Sequence, residues 1–147
     1  PKGGDTDQIK GVASGECGVA LTNTYYLARM IKSTKAEDKA VVDKVRVVFP
    51  NQGTSGTHVN IAGAGVAKYA KNRDNAIQFM EFLSSPFAQD YFANGNNEFP
   101  TVKGLKIDNP AIKAMGGDNF KAETVPLGVV AKNMTKVQQM LDRVGYK

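Results

Sequence analysis

Two tyrosines stand side by side at Tyr25 and Tyr26, just after Asn23, in the stretch "GVALTNTYYLARM". A phenol titrates near pH ~10, so it binds as phenolate at neutral pH only when a strong cation displaces its proton. Fe³⁺ is such a cation: small, highly charged and hard, it prefers anionic oxygen donors. Two phenolates would neutralise two of its three charges. Consecutive helical side chains diverge by roughly 100°. Two neighbours therefore reach one point most easily where the backbone is only beginning a helix. There the helix N-terminus adds positive potential and free N–H groups, which favour phenolate and nearby anions. The ordinary alternative is a buried or rim aromatic pair, and the local pattern leaves both open.

The remaining residues narrow the chemistry. Cys17 is the only cysteine and His58 the only histidine, which excludes an intramolecular disulfide, a thiolate cluster and a two-histidine metal site. Metal chemistry here must use oxygen ligands. The glycines of "GAGVAK" (63–68) lack the third glycine of G-x-G-x-x-G, with Lys68 standing there, and no Gly-Lys-Ser/Thr occurs. A nucleotide loop is therefore excluded. "GTSGTH" gathers Thr54, Ser55, Thr57 and His58 without the Gly-x-Ser-x-Gly elbow, and reads as a polar loop. Glu37, Asp38 and Asp43 interleave with Lys35, Lys39 and Lys44, the pattern of a solvated helix face rather than a catalytic carboxylate pair. The chain carries a net charge of +5 with its Lys and Arg dispersed, which speaks against a nucleic-acid partner.

Elements must position the tyrosines. Asp5 or Thr6 is placed to cap a first helix with Ile9, Val12 and Ala13 on one face, and Gly15 to end it. "CGVALT" (17–22) reads as a short buried strand. Asn23 or Thr24 then caps a second helix, whose apolar face is Leu27, Met30 and Ile31. "VRVVF" (45–49) and "THVNIAGAGV" (57–66) read as further strands, separated from the first two helices by the charged segment 35–44. A helix capped at Asn72 or Asp74 turns Ala76, Phe79, Met80 and Leu83 inward. Pro86 opens another, closed by Gly95, and after an irregular stretch from 96 to 123 Pro126 precedes a last helix with Val137, Met140, Leu141 and Val144 in register. Alternating helices and strands predict an α/β fold. The glycine-rich opening of the middle part suggests a segment inserted between two outer pieces. At 147 residues there is material for one core burying roughly 70% of the unfolded surface. No apolar run approaches the 18 or so residues of a membrane helix, and the start "PKGGDTDQIK" is polar, unlike a signal peptide.

Two longer blocks carry a resemblance: "GGDTDQIKGVASGECGVALTNTYYLARM" and "VFPNQGTSGTHVNIAGAGVAKYAKNRDNAIQFMEFLSSPFAQDYFANGNNEFPTVKG", with similarity continuing to the terminal "VPLGVVAKNMTKVQQMLDRVGY". The chain resembles the ferric-iron-binding periplasmic proteins, the substrate-binding components of bacterial iron ABC transporters. The resemblance implies a non-enzymatic, two-lobed α/β clamp of the type II, transferrin-like kind, with Fe³⁺ held between the lobes and delivered to an inner-membrane ABC permease. It implies that Tyr25 and Tyr26 are phenolate ligands. Asn23 matches a residue that helps bind a synergistic anion, carbonate or phosphate, in some branches of the family. Segments 1–52 and 105–147 would belong to the C-terminal lobe, and 53–104 to a segment returning to the N-terminal lobe. Members of the family are roughly twice as long, so the chain corresponds to a C-terminal half whose partner is the N-terminal half or a second copy of itself. The alternative within the same fold is a periplasmic binding protein for a small oxyanion or organic solute.

Overall fold

The computed structural model describes residues 2–106 and 108–146, and every regular element it shows there is helical. Helix α1 (Asp5–Ser14) begins one residue earlier than its sequence suggests. Gly4 is the N-cap, and the Asp7 carboxylate reaches back to accept the Gly4 N–H at 2.9 Å, which leaves Asp5 free to turn its own carboxylate elsewhere. The helix ends at Gly15, whose φ of 82° needs no Cβ. Helix α2 (Thr24–Lys32) follows the extended N-cap Asn23 and buries Leu27, Ala28 and Met30. Helix α3 (Ala36–Val42) carries its charges outward and has no fully buried residue. The three helices pack on one another, and the short helix α6 (Pro110–Ala114) lies against α2. Ile9, Leu27, Ala28, Met30, Ala111, Ile112 and Met115 form the core, with Tyr26, Val45, Val47 and Phe99 packed on its edge.

One buried amide holds α6 in place. Asn109 is 0% exposed. Its Nδ2 donates to the Ala93 carbonyl at 2.7 Å and to the Asn97 Oδ1 at 2.9 Å, and its Oδ1 accepts from the N–H groups of Ala111 and Ile112 at 3.0 and 3.3 Å. Asn109 thereby caps α6 and ties it to the chain that follows α5 (Pro86–Tyr91). That chain continues through a π-helical turn, Phe92–Asn96, which ends at Asn97 with φ 61°. The close expected at Gly95 therefore falls two residues later, because Asn97 accepts the left-handed conformation and its side chain is needed by Asn109.

The expected strands 17–22, 45–49 and 57–66 form no ladder. Among the described residues the only β contact is a parallel bridge between Thr57 and Ala122. A strand needs neighbours for its N–H and C=O groups, and beyond this bridge at Thr57 no ladder partner is formed among the described residues. The side-chain alternation survives at 45–49, where Val45, Val47 and Phe49 are half-buried and Arg46 and Val48 exposed. In segment 17–22, by contrast, Val19 is 87% and Leu21 95% exposed.

Helix α4 (Arg73–Leu83) half-buries Ala76, Met80 and Leu83, but Phe79 is 60% exposed. Helix α7 (Leu127–Arg143) follows Pro126, and its register residues Val137 and Met140, with Val144 just beyond, are exposed, since no described helix packs closely on it. The loop 50–58 is clipped to 121–123. The Thr57 N–H donates to the Lys121 carbonyl at 2.8 Å and the Glu123 N–H to the Thr57 carbonyl at 2.9 Å. The Gln52 amide meets the Lys121 backbone from both sides at 3.0 and 2.7 Å. Gly56, with φ 92°, passes so close that a Cβ would lie 2.8 Å from the Ala122 carbonyl carbon. Phe49 and Phe120 stack beside the clip at 4.4 Å.

Two stability predictions follow from these contacts. Asn109→Ala removes a helix cap and leaves buried partners unpaired, and should cost about 3 kcal/mol in urea unfolding. Gly56→Ala combines a left-handed backbone with a steric clash and should cost about 2 kcal/mol in the same measurement, with an unchanged denaturant slope.

Candidate metal site

The site residues expected from the sequence lie at the start of α2. Asn23 caps the helix through its backbone, but its side chain makes no capping bond. Its N–H and its Nδ2 both donate to one oxygen, the Asp5 Oδ2, at 2.7 and 3.1 Å. The contact joins the first turn of α1 to the first turn of α2. The pairing of α1 and α2 thus delivers a carboxylate beside the two tyrosines. Sequence spacing gave no sign of it, because the two residues are eighteen positions apart and Asp5 resembles an ordinary helix cap.

Tyr25 and Tyr26 both lie half-buried, with ring centres 4.5 Å apart and planes inclined by 34°. The expected convergence at the helix start is therefore present, and it coexists with the packing role, since Tyr26 also lies against the core. The Arg29 guanidinium, one turn along, lies 5.1 Å from the centre of the Tyr25 ring and 5.4 Å from that of Tyr26, within cation–π range of both. Tyr26 and Arg29 also border an open groove together with Thr6, Lys32 and Asn97.

The electrostatics at Tyr25 favour the neutral phenol. The Tyr25 phenol is raised above its ordinary value of 10.0, chiefly by its side-chain hydrogen bond with Tyr26, then by burial and by the negative charges that Tyr26 and Asp5 bring, while Arg29 pulls it down. A cation that binds the Tyr25 oxygen as phenolate must therefore displace a proton held more tightly than usual. Two hard oxygen donors, a carboxylate behind them and a helix N-terminus around them suit a small trivalent cation. Among the described residues no three His, Cys, Asp or Glu side chains gather elsewhere as a metal cluster.

The other candidate groups are occupied structurally. The Thr57 hydroxyl donates to the Pro50 carbonyl at 2.7 Å and that of Thr54 to the Asn51 carbonyl at 3.4 Å, while the His58 imidazole meets the Glu123 carboxylate. No described helix is long and apolar enough to cross a membrane.

Residues 2–117 match the family of bacterial extracellular solute-binding proteins. The chain belongs to that family, whose members bind and carry solutes and are not enzymes. Its relatives share one cargo in their names. Over its whole length the chain is 44% identical to iron uptake protein A2 of Synechocystis sp., of which it spans 42%. The solved structure of Trichodesmium IdiA (FutA) in complex with iron and citrate ligands matches it with a TM-score of 0.91 at 48% identity, covering 100% of this chain and 46% of that one. The ferric binding protein from Campylobacter jejuni matches with a TM-score of 0.90 at 37% identity, again over 100% and 46% of the two chains. The chain thus spans less than half the length of these relatives. The resemblance read from the sequence, to ferric-iron-binding proteins, is upheld.

The phenol pair makes a direct prediction. Absorbance titration near 295 nm should show Tyr25 ionising above pH ~10. Tyr26→Phe should lower that midpoint by removing the hydrogen bond, and Arg29→Met should raise it by removing the cation. Because folding raises this group, its contribution to stability is complete below the ordinary phenol value and is lost as pH rises through the folded one.

Proposed function

We propose that this chain supplies part of a ferric-iron site in a two-lobed periplasmic binding protein, with Tyr25 and Tyr26 as phenolate ligands, and that the loaded protein hands its cation to an inner-membrane ABC permease. The observation that carries this reading is the converging phenol pair at the start of α2, beside the Asp5 carboxylate, in a chain whose relatives are named for iron. Two phenolates cannot fill an octahedral ferric ion, so the other donors come from outside this chain, from the remainder of a longer polypeptide or a second copy. The largely exposed stretch 58–72 is where the chain leaves the tyrosine-bearing lobe for the other. Asn23 serves the site as its anion-facing residue.

Each protein group has a separate task. The helix N-terminus stabilises developing phenolate charge. Tyr26 and burial keep Tyr25 protonated until the cation arrives. Arg29 offsets the negative charge of the ligand cluster once the protons have left. Loading exchanges protons for metal, so affinity should rise with pH and fall on acidification.

Ferric citrate added to the full polypeptide should produce a visible phenolate-to-iron charge-transfer band, with proton release detectable in weakly buffered solution. Tyr25→Phe and Tyr26→Phe should each weaken the band, and the double substitution should abolish it. A colourless protein whose iron affinity is unchanged by the double substitution would overturn the assignment. Tight binding of phosphate or sulfate to chelator-stripped protein, without iron binding, would instead favour the oxyanion-carrier reading.

A further inference from the structure

Helix α7 carries an apolar pattern with no counterpart among the described residues. Leu127, Val130, Met134, Val137 and Leu141, with Val144 just past the helix end, follow one another at alternating intervals of three and four. At 3.6 residues per turn this spacing gathers them into one seam along the helix, with Lys132, Lys136, Gln139 and Arg143 on the opposite side. Leu127 is 64%, Met134 66% and Val137 49% exposed, and no described helix packs closely on α7. The clip at 121–123 and Pro126 fix the point from which the seam starts. An unbroken three-four seam suits a second helix crossing at about 20°.

The choice of partner follows from length and charge. The helix has 17 residues, about two and a half heptads, short of the roughly three to four that sustain a coiled coil between separate chains. A strip about 26 Å long and 10 Å wide also falls short of the roughly 800 Å² that each partner buries in a stable complex. The positions flanking the seam, Ala131, Asn133, Gln138 and Met140, bear no charge, whereas pairing between separate helices is commonly selected by charged flanks. A helix of the same polypeptide needs neither length nor charge, because it is already present at high effective concentration. Such a polypeptide is indicated independently: the chain matches its relatives over its whole length while spanning less than half of theirs.

We propose that the α7 seam is the docking face for an amphipathic helix in the part of the polypeptide outside this chain, packed beside α7 within one molecule. The contact is held by apolar burial and is independent of the metal.

The test uses the full polypeptide in a Cys17→Ser background, with one new cysteine at a time. Val137→Cys, on the seam, should react with a thiol reagent about a hundredfold more slowly than Lys136→Cys on the opposite side, because its exposure needs local opening. The protection should persist on dilution. A photocrosslinker, Met134→benzoylphenylalanine, should give a product of monomer mass whose linked peptide lies outside residues 1–147. Equal labelling at the two positions would overturn the proposal. So would a crosslink within residues 1–147, or a product of twice the mass with protection that fades on dilution, the mark of a second copy. Should the photocrosslinking variant fail to fold, labelling of Val137→Cys across the dilution series still decides. Iron colour retained alongside a failed seam test would reject the docking face and leave the ferric reading standing.

Discussion

The buried amide of Asn109 is the constraint on which the tyrosine helix rests. Its two donors and its acceptor are all engaged, with the Ala93 carbonyl, Asn97, and the first N–H groups of α6. A buried amide left half-paired would cost about 1–3 kcal/mol for each orphaned group. Complete pairing therefore fixes where α6 begins. From that start Ile112 and Met115 reach the face of α2 that presents Leu27, Ala28 and Met30. Ala28 is fully buried, and the small side chain permits the close approach. Once α2 is held from that side, α1 closes on it and the Asp5 carboxylate meets Asn23. The geometry at Tyr25 and Tyr26 is thus set partly by residues far along the chain, none of which has metal chemistry of its own.

The electrostatics around the pair oppose one another in a useful way. The hydrogen bond with Tyr26, burial and Asp5 favour a neutral Tyr25, whereas Arg29 favours its phenolate, as does a helix N-terminus. With no cation present the first group prevails at neutral pH. Under the proposed function a trivalent cation would reverse the balance, because the negative charges that discourage ionisation would then be attractive to it. Asp5 would change the sign of its effect without moving.

Much of this region was legible from local sequence. The α2 face at Leu27 and Met30 follows from helical spacing, Gly15 from its place after the last apolar residue, and Asn23 from its type at a helix start. The missing pieces are those that only long-range contacts create. Asp5 looks like a cap because nothing in its neighbourhood reveals a partner eighteen positions away. Helix α6 spans five residues, too few to establish a period, although Asn109 followed by Pro110 is a cap-and-first-turn signal that could have been read. The strand expectations rested on apolar runs at 17–22, 45–49 and 57–66. Such a run says that a segment should be covered, not what covers it: Val45 and Val47 pack on the edge of the core, whereas Val19 and Leu21 are covered by no described part of this chain. The register residues of α7 failed to find a core for the same reason.

If Tyr25 and Tyr26 are the donors proposed above, their placement on consecutive residues has a consequence for release. A single peptide unit joins Tyr25 to Tyr26, so a rigid-body movement of α2 carries both rings together; their bite changes only through side-chain rotation or through local torsions of the first helical turn. For any cation held by both, they act as one bidentate chelate, and when one oxygen lets go the other keeps it at high effective concentration for recapture. Unloading from such a pair would then call on rotation of the side chains, or on protons that capture both oxygens together.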